Sequence, residues 1–217
     1  MHFLKESEYL ALRQSAEVVE ADHFGDKVLR LADGTYLKLF RRKRLLTSAI
    51  FYPYAQRFAD NASILSRLGV PCPKIKASYR IQSIARDAVH YSPLAGLTLR
   101  QLSEANERQP ELQIKLGSFI SRLHDKGIYF RSLHLGNIIE TPTGELGLID
   151  IADLSFHRKP LSTGQRLRNF KHITRYPNDR NWIALEKSKF LASYKESSLS
   201  KTKLNEEKLL MLLDANP

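Results

Sequence analysis

Cysteine is almost absent from this chain: Cys72 stands alone among 217 residues. An intrachain disulfide and a cysteine-based zinc site are therefore excluded. The seven histidines show no metal-ligand spacing. No apolar stretch approaches the roughly 20 residues needed to span a bilayer. Residues 1–12 (MHFLKESEYLAL) hold no sustained apolar core, so no secretory leader is expected, and the chain is read as cytoplasmic. Internal repeats are missing as well. So is a G-x-G-x-x-G loop: His23-Phe24-Gly25-Asp26, between two strand-like segments, carries a single glycine.

Acidic residues are also in short supply. Thirty-four Lys+Arg against 23 Asp+Glu leave a net charge of +11. Such an excess favours anionic partners: a nucleotide, phosphorylated glycolipid, an acidic membrane surface or nucleic acid. The cations fall into two groups, Arg41-Arg42-Lys43-Arg44 and the set Arg166, Arg168, Lys171, His172, Arg175. The first group, beside Leu45-Leu46 and Ile50-Phe51-Tyr52, suits a peripheral contact with an acidic membrane. Nucleic acid is the weakest of these partners, because no interleaved aromatics or recognition motif accompany the charge.

The length suits one compact domain with a sizeable core. Residues 16–20, 27–31 and 35–40 read as strands, the last two joined at Asp33-Gly34, a two-residue hairpin signal. Residues 54–68 fit a helix that stops at Gly69-Val70-Pro71-Cys72-Pro73. Strands over 74–82 and 88–91 follow, then a Pro93-Leu94-Ala95-Gly96 loop and a helix starting at 98–102. Apolar residues Ile114, Leu116, Phe119, Ile120 and Leu123 keep a helical period that ends near Gly127. Ile138-Ile139 and Leu146-Gly147-Leu148-Ile149 read as short strands around the turn Thr141-Pro142-Thr143-Gly144. A polar stretch, 197–203, precedes a terminal helix over 204–213.

Between these elements runs Phe130-Arg131-Ser132-Leu133-His134-Leu135-Gly136-Asn137, with Asp150-Ile151-Ala152 thirteen residues after the asparagine. The pattern resembles the protein-kinase catalytic loop H-R-D-L-x-x-x-N and its D-F-G metal motif. In that register Asn137 and Asp150 match the two metal ligands, Ser132 stands where the catalytic aspartate belongs, and Phe130 replaces the histidine. Lys38, inside the third strand, matches the lysine that contacts nucleotide phosphates. Asn61 falls at the position of the helix glutamate that pairs with that lysine. Neighbouring Asp60 points about 100° away on a helix, so it is no automatic substitute.

The Gly69–Pro73 run, Ser92-Pro93-Leu94-Ala95-Gly96-Leu97-Thr98-Leu99, Leu123-His124-Asp125-Lys126-Gly127 and Leu133-His134-Leu135-Gly136-Asn137-Ile138-Ile139 resemble the bacterial lipopolysaccharide kinase family (Kdo/WaaP type). The likeness extends over roughly residues 15–175 and reaches the toluene-tolerance proteins and the small atypical kinase of the KEOPS complex. It implies an α+β, protein-kinase-like fold: a β-rich N-lobe over 1–92, a mainly helical C-lobe over 93–217 and a hinge at about 91–97. It also implies ATP and Mg²⁺ as cofactors and a heptose or Kdo hydroxyl of the lipopolysaccharide core as acceptor, reached from the inner face of the membrane. Lys38, Asn61, Asn137 and Asp150 would then surround the nucleotide, with Asn137 and Asp150 on the metal. With Ser132 at the base position, His134 and Asp153 are the replacement bases to consider. The alternative is a pseudokinase that binds nucleotide or a protein partner without efficient turnover.

Overall fold

A computed structural model describes residues 1–42, 52–105, 110–200 and 204–214. Lys43 and Arg44 of the first basic group, and the apolar residues 45, 46, 50 and 51 beside it, lie outside the described residues. The fold is α+β, with a mixed six-stranded sheet and eight α-helices among the described residues. Chain contacts divide it into two units: Met1–Leu94 with Ile151–Asp153, and Ala95–Asp150 with Leu154–Pro217.

The first unit contains β1 (His2–Phe3), α1 (Glu6–Gln14), β2 (Glu17–Asp22), β3 (Gly25–Arg30), β4 (Tyr36–Arg41), α2 (Tyr54–Arg67), β5 (Lys74–Ile81) and β6 (Arg86–Ser92). Its sheet runs β1-β5-β6-β4-β3-β2, and only the β1–β5 pair is parallel. Alternation along β4 sets the two faces. Leu37 and Leu39 join Tyr9, Leu29, Leu31, Ile81 and Ala88 in a core on the α1 side. Tyr36, Lys38 and Phe40 point the other way, where Phe40 and Tyr91 meet Tyr54 and Phe58 of α2.

Two turns show how local chemistry sets these boundaries. At the end of α2, Gly69 adopts φ +67°. Its N–H reaches the Ser66 carbonyl at 3.1 Å and the Val70 N–H reaches Leu65 at 2.9 Å. Those two bonds form a Schellman motif, which needs a left-handed residue at Gly69. Between β3 and β4 the loop holds three residues rather than two: the Leu31 N–H donates to the Thr35 carbonyl at 2.8 Å, around Ala32-Asp33-Gly34. The Asp33 carboxylate accepts the Thr35 N–H at 3.0 Å and its hydroxyl at 2.5 Å. These bonds hold the Asp33 carboxyl down at about 2 and favour the longer loop.

The second unit begins with β7 (Leu97–Thr98), α3 (Leu99–Ala105), α4 (Pro110–Asp125) and β8 (Ile128–Phe130). It continues through β9 (Ile138–Glu140), β10 (Leu146–Leu148) and β11 (Leu154–Phe156) to α5 (Thr163–Ile173), α6 (Pro177–Ala184), α7 (Lys187–Glu196) and α8 (Glu206–Asp214). A three-stranded sheet β10-β9-β7 and a two-stranded pair β11-β8 frame the segment between β8 and β9. Gly96 enters β7 at φ +132°, and a Cβ there would lie 2.0 Å from the Glu140 carbonyl oxygen. Only glycine meets both conditions.

Arg166 stands apart from the other cations of the second basic group. Its side chain is fully buried, because its guanidinium is consumed internally. It donates to the Leu161 carbonyl at 3.0 Å, the Tyr194 hydroxyl at 2.9 Å, the Asp125 carboxylate at 2.7 Å and Ser200 Oγ at 2.6 Å. His172 is half-buried against the Tyr129 hydroxyl at 3.2 Å. Arg168, Lys171 and Arg175 remain exposed.

Candidate functional site

Lys38, Asn61 and Asp153 belong to the first unit; Ser132, His134, Asn137 and Asp150 belong to the second. Within the second unit, the segment after β8 is held at three backbone points. The Phe130 carbonyl accepts the Leu133 N–H at 3.3 Å and the Asn169 side-chain amide of α5 at 2.5 Å. The Ser132 carbonyl accepts Asn137 Nδ2 at 2.9 Å. The Leu135 N–H donates to Asp179 Oδ2 at 3.0 Å. A short 3-10 turn, Leu135–Asn137, then leads directly into β9.

That arrangement turns Asn137 into an oxygen donor. One N–H of its side-chain amide donates to the Ser132 carbonyl, which orients the amide with its oxygen away from that carbonyl. The Ile149 N–H donates to the Asn137 backbone carbonyl at 3.0 Å, which brings the start of Asp150 alongside. Asp150 has φ +51°; only Ala85 shares a positive φ among the described non-glycine residues. Aspartate visits this region more readily than most residues, yet such conformations concentrate where surrounding structure imposes them for a purpose. Ser132 and His134 sit in the same segment, both half-buried. The His134 ring meets Tyr176 edge-on, with centroids 5.3 Å apart.

Asp179 and Arg100 are the residues of this site that sequence reasoning missed. Asp179, in the first turn of α6, is only 1 % exposed. Arg100 donates to it twice, at 3.0 and 2.7 Å, in a bidentate pair. The same carboxylate takes the Leu135 N–H, so one buried anion ties α3, α6 and the loop together. Its hydrogen bond holds the Arg100 guanidinium above its ordinary value. Arg100 also lies over the Tyr176 ring, 4.8 Å from its centroid. The one local hint was an aspartate just after Pro177, where a carboxylate favours a helix N-terminus.

A second buried chain of hydrogen bonds supports the loop from behind. His124 Nε2 meets Asn169 Oδ1 at 3.0 Å and His124 Nδ1 meets the Tyr194 hydroxyl at 2.8 Å. Burial drives the His124 pKa down to about 3, so the imidazole is neutral at pH 7. Burial also pushes Tyr194 up to about 12, despite the nearby Arg166. For Asp125, burial works toward a higher pKa. The Arg166 pair and the Leu199 N–H at 2.6 Å outweigh it and hold the carboxyl low.

In the first unit, Asn61 is buried and donates to the Ile151 carbonyl at 2.6 Å. The bond pins the turn Ile151–Asp153, which carries Asp153, against α2. A glutamate at position 61, ionised, has no proton to donate there, which accounts for an amide at this place. Asp60 faces elsewhere: its carboxylate accepts from Tyr52 Oη at 2.7 Å and Gln56 Nε2 at 2.8 Å. Lys38 is half-buried on β4, its Nζ 5.9 Å from the Phe40 ring centre. The turn at His23-Phe24 is tied down, since Arg86 Nη2 donates to the Phe24 carbonyl at 2.6 Å and Arg41 lies 3.6 Å from the Phe24 ring centre.

Among the described residues, no group of three or more His, Cys, Asp or Glu forms a self-sufficient metal cage. Asn137 and Asp150 together offer an amide oxygen and a carboxylate, both hard donors. That set fits Mg²⁺, which is usually held by one or two carboxylates and completes its shell with water and substrate phosphate. No family model matches this chain, and no curated protein matches it.

Proposed function

We propose that this protein is an ATP- and Mg²⁺-dependent phosphotransferase of protein-kinase-like, two-lobed fold, acting on a sugar hydroxyl of the lipopolysaccharide core, heptose or Kdo. The observation that carries the reading is the backbone bond between Asn137 and Ile149, the residue before Asp150. Asn137 donates one amide N–H to the Ser132 carbonyl and accepts the Ile149 N–H through its backbone carbonyl, and the next residue, Asp150, is held at φ +51°. The resemblance of the Phe130–Asn137 loop supports the same assignment.

In this mechanism Asn137 and Asp150 would hold the metal, and Lys38 would contact the α- and β-phosphates. Bound Mg²⁺ would neutralise charge on the phosphate oxygens as the γ-phosphoryl group moves. The acceptor oxygen forms a bond to the γ-phosphorus, the bond from that phosphorus to the β,γ-bridging oxygen breaks, and ADP leaves. Ser132 is a poor proton acceptor, so the hydroxyl proton departs late, to solvent, to the phosphate or to His134 or Asp153. Phosphoryl transfer depends mainly on positioning and charge stabilisation, and a general base contributes about 10²–10⁴-fold. Loss of the aspartate slows this chemistry without removing its basis.

Calorimetric titration with ATP tests the site. Affinity is expected to rise with Mg²⁺, and Asp150→Ala is expected to remove that dependence. Equal affinity in Mg²⁺ and in EDTA for the unmodified protein refutes the assignment. Ser132 favours one second reading, a nucleotide-binding protein without efficient turnover. Ser132→Asp separates the two: a gain in ATP-dependent transfer, at most about 10²–10⁴-fold, marks a slow enzyme. Mg²⁺-dependent binding with no measurable transfer in either form marks the non-catalytic alternative.

A further inference from the structure

Beside residues 197–200, the strap that follows α7, the second unit holds a cavity of about 310 Å³. That volume lies at the low end of small-molecule sites, which run from about 300 to 1,000 Å³. Pro160 and Leu199 line it together with Arg122 and Lys126, and its surface is almost entirely carbon. The aliphatic stems of the two exposed cations therefore form part of the wall, with their charged ends in water. Arg122 and Lys126 stand one helical turn apart at the end of α4, since the Lys126 N–H donates to the Arg122 carbonyl at 3.0 Å. Like charges at this spacing repel. A helix C-terminus favours cations, yet it gives no reason for a carbon-walled cavity beside them. The carboxylate of the lining, Asp125, is already matched by the buried Arg166 at 2.7 Å and by the Leu199 and Ser200 N–H groups at 2.6 and 3.3 Å. The rim is thus net positive. Those same bonds fix the backbone of the strap, while the Leu199 side chain is left 94 % exposed at the edge of the cavity.

We propose that this cavity binds a small amphipathic anion, a short alkyl chain ending in a carboxylate or a phosphate. The chain covers Pro160, Leu199 and the stems of Arg122 and Lys126, and the anionic head lies between the two cationic ends. Removing the leucine from water favours the bound state, and the head group offsets the repulsion between the cations. An arginine fork takes carboxylate and phosphate alike. A neutral apolar ligand would leave the two charges unmatched, and a cationic one would meet a net positive rim. An inorganic anion would leave Leu199 in water. Arg166 and Asp125 hold this wall in place without a ligand, so the site is largely preformed. It shares no residue with the nucleotide reading and does not depend on it.

Calorimetric titration of the full chain with octanoate, octyl phosphate, octanol, octylammonium and acetate, all below micelle-forming concentrations, tests the site. Octanoate or octyl phosphate is expected to bind with one equivalent per chain, and the tighter of the two names the head group. Octanol and octylammonium lack the anion and acetate lacks the chain, so each should bind at least about tenfold more weakly. Arg122→Gln keeps most of the stem and should weaken the anion by roughly 5- to 50-fold without affecting octanol. Leu199→Ser should weaken it by about 3- to 10-fold. Both positions are exposed, so thermal unfolding of the two ligand-free variants should match the unmodified protein. Absence of binding by either anion overturns the proposal. So does octanol within about tenfold of the tighter anion, which marks an apolar hollow without charge recognition. Acetate within that margin would leave only a surface charge, and octylammonium within it would reverse the sign; either result refutes the site. Anion affinity unchanged in Arg122→Gln, or uptake of several equivalents insensitive to Leu199→Ser, refutes it as well.

Discussion

Arg166→Ala is expected to destabilise the second unit by about 3–5 kcal/mol, the usual cost of removing one partner from a buried ion pair. Arg166 is wholly buried, and its Asp125 partner has a side chain only 12 % exposed. Alanine would leave that carboxylate facing the Leu199 and Ser200 N–H groups without its counter-charge. It would also take a donor from the Tyr194 hydroxyl and one from the Leu161 carbonyl. Differential scanning calorimetry should show the affected transition lowered by on the order of 10 °C. Lys189→Ala provides the contrast: Lys189 pairs with Glu186 at 3.0 Å, but its side chain is 52 % exposed, so the change should be within about 0.5 kcal/mol. Equal shifts for the two variants would show that the Arg166 network does not hold the fold.

Asp179→Asn should damage the site more than the fold. The substitution keeps the shape but turns one acceptor oxygen into an N–H₂ facing donors. Whichever way the amide lies, either the Arg100 fork or the Oδ2 position that serves both Arg100 and Leu135 loses its acceptor. Arg100 is 33 % exposed and retains some hydration, so the stability loss should stay near 2 kcal/mol. Functionally, both orientations weaken the tie to the loop between Phe130 and Asn137: one removes the Leu135 anchor outright, and the other leaves a neutral amide oxygen there in place of the carboxylate. A displacement of about 1 Å in a catalytic group can cost 10²-fold. We therefore expect the Mg²⁺-dependent part of nucleotide affinity, and any phosphotransfer rate, to fall on that order. Binding in EDTA should stay unchanged. A variant whose magnesium response and rate match the unmodified protein would show that Asp179 does not organise the loop.

Much of the architecture is legible in the order of the amino acids. The strands read at 27–31, 35–40 and 74–82 appear as Gly25–Arg30, Tyr36–Arg41 and Lys74–Ile81. The helix read at 54–68 ends at its glycine, and the apolar period through 114–123 marks the middle of Pro110–Asp125. These features rest on local information: alternation, helical period and turn chemistry act over a few residues. The helix Glu6–Gln14 went unread because its solvent-facing residues dilute the period, leaving Tyr9 as its only buried residue. The stretch 197–203, read as a polar break, begins with residues that bond Asp125 through Ser198, Leu199 and Ser200. Polarity there reflects a buried acceptor as much as solvent.

The sequence by itself determined the order of elements, the positive balance of charge, and which residues stand at the loop and the downstream aspartate. It could not determine what those residues do with their hydrogen bonds. Arg100 and Asp179 are 79 positions apart, and Asn61 and Ile151 are 90 apart. Arg166 reads as one cation among several along a helix, and only packing reveals that it is buried against Asp125. Tyr36 and Tyr91 become a pair through strand register alone. Period and propensity are summed over neighbours in the chain, whereas ion pairs, buried amides and ring stacks depend on which distant segments the folded chain brings together.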